Sequence, residues 1–121
     1  MTALQAGFDV KIDVWLINGQ LYLGHDAPEH HIELRFLYHG NFWCHAKNIE
    51  ALAFLTQNGF HAFWHQEDDV TLTNRGYLWT YPGKILAGAR AIAVMPERVP
   101  DWDLSNAYGI CSDYVLGNHV D

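Results

Sequence analysis

Basic residues are scarce in this chain: seven Lys and Arg stand against fourteen Asp and Glu, a formal charge of −7. Nucleic-acid binding draws its affinity from a basic stripe laid on phosphates, and the few cations here are scattered. Cysteine is scarcer still. Cys44 and Cys111 are the only two, both inside apolar runs that read as strands, and no metal-type cysteine spacing exists. They fit buried thiols in a reducing cytoplasm better than a disulfide framework. No apolar run is long enough to span a bilayer, and no basic-apolar-small leader opens the chain. What remains is one domain of 121 residues, half of them hydrophobic and 14% aromatic, able to build a real core.

The stretch from Gly7 to Asp26 organises the rest. Asp9, Lys11 and Asp13 alternate with Val10, Ile12 and Val14, the period of a strand with one polar and one apolar face. Asn18-Gly19 predicts a two-residue hairpin turn, and Leu21 and Leu23 carry the returning strand to His25-Asp26. Residues 41–47 and 60–65 read as buried strands. Between them Asn48 caps a helix over 49–57 that Asn58-Gly59 ends, which makes a strand–helix–strand unit with parallel pairing. Strands are also expected over 76–81, 91–95 and 108–115. The segment 84–90 could form two turns of helix, while Pro100 argues against a full helix over 98–107. Residues 1–6 look like the end of a helix, as if a strand and helix had once preceded them.

The opening stretch resembles the glycerophosphodiester phosphodiesterases and their relatives among the phosphatidylinositol-specific phospholipases. That family shows a Glu-x-Asp strand, a short Asp-Gly-type turn, a return strand and then His-Asp. Asp13, Asn18-Gly19 and His25-Asp26 follow in that order, with Lys11 where the family has Glu. His45-x-Lys47 stands where the family tends to carry Glu-x-Lys, and residues 109–114 resemble its last-strand pattern. The family's opening His-Arg-Gly strand has no counterpart. The resemblance implies an α/β fold, a small or incomplete TIM-like (β/α) barrel of about seven mostly parallel strands with reduced helices.

It also implies a site. His25 matches a catalytic histidine, with Asp26 orienting it from behind. Asp13 and His45 match ligands of a divalent cation, Mg²⁺ or Ca²⁺, and Lys47 matches a catalytic cation near the phosphate that also binds substrate beside His45. Trp79, near a strand end, would form a pocket wall. From the residues alone, Asp13 is read equally well as a salt-bridge partner of Lys11 or Lys47. The His30-His31 pair diverges too much for a metal, whereas His61 and His65 would suit zinc only on a helix. Two functions follow: hydrolysis of a glycerol- or sugar-linked phosphodiester, or binding of an anionic small molecule without turnover. The missing first strand would leave two sheet edges open, to be closed by a homodimer or by collapse of those edges onto each other.

Overall fold

The alternation at the start of the chain produces its longest strand. The computed structural model describes residues 2–4 (backbone only), 9–64 and 68–112. Among them the strands are β1 (Thr2–Leu4), β2 (Asp9–Ile17), β3 (Gln20–Leu23), β4 (His30–Ile32), β5 (Phe42–Ala46), β6 (Ala62–Phe63), β7 (Val70–Leu72), β8 (Leu78–Thr80), β9 (Ala91–Val94) and β10 (Gly109–Ser112). One α-helix, α1 (Ile49–Gln57), joins β5 to β6. Its N-cap is Asn48, whose side chain accepts from Ala51 N at 3.0 Å. Asn18 and Gly19 both take positive φ (51° and 77°), as the tight β2–β3 hairpin requires.

Strand β2 bonds β5 along one edge, in parallel. Its other edge is shared, antiparallel to β1 over the first residues and antiparallel to β3 over the last. From β1 the sheet continues through β10, β9, β8 and β7. Its β6 and β7 ends then meet at Asn74, whose N–H donates to Ala62 O at 3.1 Å and whose Oδ1 accepts from Ala62 N at 2.9 Å. Thr71 Oγ1 adds a bond to Trp64 O at 2.7 Å. The sheet is thus curled on itself. Its inner face packs Trp43, Phe63, Trp79, Ile92, Val94 and Cys111. Ile12, Val14 and Cys44 face outwards, against Ala51 and Leu55 of α1 and against Leu21 and Leu37.

This is not the α/β barrel that the resemblance implied. Of the nine ladders among the described residues five are antiparallel and four parallel, so the sheet is mixed. The reason lies in the connections. Between β6 and β8 the chain adds the strand β7, which pairs β8 antiparallel. The links from β8 to β9 and from β9 to β10 carry Pro82, Gly83 and Gly88, then Pro96 and Pro100, which break helices. No helix forms over 84–90. These loops still do what a helix would, because Leu86, Trp102, Leu104 and Ala107 cover Ala91, Ala93 and Ile110 on the outer face. Trp102 Nε1 donates to Lys84 O at 2.9 Å and ties the two loops together.

The open seam is closed in an unexpected way. Residues 2–4 form a strand, not a helix end, and lie antiparallel between β2 and β10, with Ala3 opposite both Val10 and Ser112. An antiparallel strand needs no crossover helix, so three residues suffice where a parallel strand would need a dozen more. Neither direct pairing of β2 with β10 nor a partner copy is needed to fill that gap. Replacing Ala3 with proline removes one backbone donor between two strands, and it should cost about 1–3 kcal/mol in urea unfolding. An unchanged midpoint would mean that β1 contributes nothing to the seam.

Candidate functional site

Residues of one parity on β2 face inwards, and the β2–β5 register sets Asp13 opposite His45 and Lys11 opposite Trp43. The three polar side chains meet. Lys11 Nζ donates to both Asp13 oxygens, at 3.1 and 3.2 Å, and His45 Nδ1 lies 3.1 Å from Asp13 Oδ1. All are largely buried, with side-chain exposures of 11–15%. The His45 ring stacks on Phe63 of β6, centroids 5.0 Å apart and planes within 9°. Burial on its own would raise the Asp13 pKa, but the hydrogen bond from His45 and the charge of Lys11 more than offset it and hold the carboxyl at about 2. Asp13 is therefore ionised, and its Oδ1 faces Nδ1 of His45, the ring nitrogen placed to donate to it. Across the interior the Tyr81 hydroxyl is pushed above its usual range, by burial first and then by the charges of Cys111 and Asp13.

The structure joins some of the expected residues and separates others. Asp13 and His45 are in contact, and the sequence's alternative pairing of Asp13 with Lys11 is present as well. Lys47 follows at the end of β5, its N–H bonded to Val14 O at 2.8 Å, and among the described residues it makes no ion pair with Asp13. His25 comes directly after Gly24, whose N–H bonds the Asp13 carbonyl at 3.2 Å. Its side chain is 74% exposed and meets that of Asp26, itself 93% exposed (Nδ1 to Oδ1, 3.0 Å). Trp79 is no pocket wall. It is 2% exposed, packed against Phe63 at 4.7 Å and Trp43 at 5.8 Å, because its strand position points into the curled sheet. His65, Asp113 and Tyr114 lie outside the described residues.

The donors do not suit the expected Mg²⁺ or Ca²⁺. Both oxygens of Asp13 are engaged by an ammonium, and a divalent ion bound there would lie within a few ångströms of that charge. Such ions also need several oxygen ligands, and among the described residues no three His, Cys, Asp or Glu side chains gather as a metal group.

A second buried histidine was seen in the sequence only as half of a zinc pair. His61 is 5% exposed, with its ring 4.2 Å from Trp43, and Nε2 lies 2.7 Å from Thr73 Oγ1. That hydroxyl accepts from the N–H groups of Arg75 (3.3 Å) and Tyr77 (3.2 Å), so its own proton goes to His61. His61 is then a neutral acceptor. Burial, reinforced by the charges of Arg75 and Arg90, lowers its pKa to about 4. A folded pKa below the unfolded 6.5 means that the unfolded chain binds the extra proton, so this group destabilises the fold as pH falls from 6.5 to 4. The loss should approach about 3 kcal/mol, and His61→Phe should flatten stability over that window. An unchanged pH profile in the variant would remove His61 as its source. The Asp13 contribution is distinct: it is present above pH 3.8 and lost towards pH 2. At neutral pH, Asp13→Asn should cost about 3 kcal/mol by leaving the Lys11 charge uncompensated, and Lys11→Met added to it should recover part of that loss.

Among the described residues no helix is long and apolar enough to cross a membrane. Comparison with family models, with curated proteins and with solved structures finds no match for the chain.

Proposed function

We propose that this chain recognises and cleaves a glycerol- or sugar-linked phosphodiester without a divalent ion, in a cytoplasmic setting that keeps both thiols reduced. The observation that carries the reading is the Lys11–Asp13–His45 cluster, in which an ammonium is bonded to both oxygens of Asp13. Asp13 holds His45 with Nε2 as the basic nitrogen, the arrangement of an oriented general base. In the proposed step His45 takes the proton of the substrate's own hydroxyl as that oxygen bonds phosphorus. The bond from phosphorus to the departing alcohol breaks, and His25 returns a proton to the leaving oxygen. Lys11 and Lys47 supply the positive charge that the phosphoryl oxygens need.

A second reading, binding of an anionic phosphodiester without turnover, is favoured by one fact: His25 is well exposed and bonded to Asp26 alone among the described residues. Following a glycerophosphodiester by ³¹P NMR separates the two. The expected result is conversion that excess EDTA leaves unchanged, and that His45→Asn lowers at least a hundredfold with binding altered little. Binding with no conversion selects the second reading, and absence of binding sinks both. Lys11→Glu should create divalent-ion binding detectable by calorimetry, and a silent titration would mean that Lys11 does not hold the ion's place.

A further inference from the structure

At the other end of the sheet, where β2, β5 and β6 begin, a cleft of about 290 Å³ opens between the strand ends and the segments leading into them. Its floor is aromatic, formed by Trp43 and His61, and Tyr38 stands at its rim, 66% exposed, with its ring 5.0 Å from Phe60. Two charges of opposite sign also line it. Asp9 accepts from Trp43 Nε1 at 2.9 Å, which fixes the carboxylate over the ring edge. Arg75 donates through Nη2 to Gly59 O at 2.9 Å, which fixes the guanidinium on another wall and leaves further N–H groups to donate. Arg90 lies behind it, bonded to the Arg75 carbonyl at 2.9 Å and set 4.4 Å over the Tyr77 ring.

Asp9 and Arg75 line one cleft yet form no ion pair within 4.0 Å of each other. Each is instead tied to its own wall, so the two charges are held apart across a small space. A single anion would face Asp9 and a single cation would face Arg75. Only a molecule with both charges satisfies both walls at once.

We propose that this cleft binds a small zwitterion, its cationic end against Asp9 and the Tyr38 ring and its anionic end on Arg75. An ammonium gains from the aromatic face as well as from the carboxylate, and a carboxylate or phosphate matches the guanidinium fork. The volume lies at the small end of ligand sites, which limits the occupant to about the size of an amino acid. The site is separate from the Asp13 cluster and does not rest on the reaction proposed for it.

The Trp43 indole N–H is a built-in reporter, because it bonds the carboxylate that the ligand's cation would approach. Its ¹H–¹⁵N signal would be followed on titration with glycine, β-alanine and γ-aminobutyrate, which step the charge separation. Acetate and ethylammonium serve as single-charge controls. At least one zwitterion should move the signal saturably and bind about tenfold more tightly than either control. Asp9→Asn keeps an acceptor for the indole but loses the charge, and Arg75→Gln keeps a donor for Gly59. Each variant should weaken the zwitterion about tenfold, and thermal melting would verify that both remain folded. Equal binding of controls and zwitterions, no saturable shift from any of the three, or unchanged affinity in the folded variants would overturn the proposal.

Discussion

The register between β2 and β5 is the constraint on which the rest of the molecule depends. Side chains alternate along a strand, so one register decides both faces of the pair at once. Val10, Ile12 and Val14 fall on the side that α1 covers, while Lys11 and Asp13 fall inwards beside Trp43 and His45. A slip of one residue would bury the charges against the helix and turn the apolar residues into the polar cluster. Strand β5 also pairs β6 in parallel, which requires a crossover between those two strands, and α1 is that crossover. Asn48 fastens it at the same place, because its side chain caps the helix and also exchanges bonds with Leu16 of β2, Oδ1 from N at 3.3 Å and Nδ2 to O at 3.0 Å. One side chain thus sets both the helix start and its distance from the longest strand.

Much of this first half was legible in the sequence because its signals are local and strong. Asn18-Gly19, the alternation around Asp13 and the Asn48 cap each fix conformation within a few residues. The second half was less legible. Strand β7 has three residues flanked by polar ones, too few for a period of two to register, and β4 hides in a His-rich stretch. Whether Pro- and Gly-bearing loops can replace helices depends on Leu86, Trp102 and Leu104 reaching the sheet, which is a tertiary fact. Strand β1 was misread because a three-residue strand between two others is made by its neighbours more than by its own sequence.

The candidate site divides in the same way. The contact of Asp13 with His45 follows from a register that could be guessed, and that of Lys11 with Asp13 from their spacing on one strand. Trp79 was misjudged because a tryptophan near a strand end gives no sign of whether the sheet curls over it. The cleft at the far end could not be read at all. It gathers Asp9, Tyr38, Trp43, His61 and Arg75 from five separate segments, and only the curling of the sheet brings them together.

The two cysteines sit on opposite faces of that curled sheet, Cys44 towards α1 and Cys111 within the interior, and both are almost fully buried. Burial pushes the Cys44 thiol up to about 12, so a thiol-directed reagent meets almost no thiolate while the fold is closed. Each sulfur is therefore a clock for the opening of one core. The Cys44 rate counts excursions in which the helix lifts from the outer face, and the Cys111 rate counts those in which the curl itself opens. If the two clocks keep the same time, the chain melts as one cooperative unit; if they differ, the sheet's two faces loosen separately.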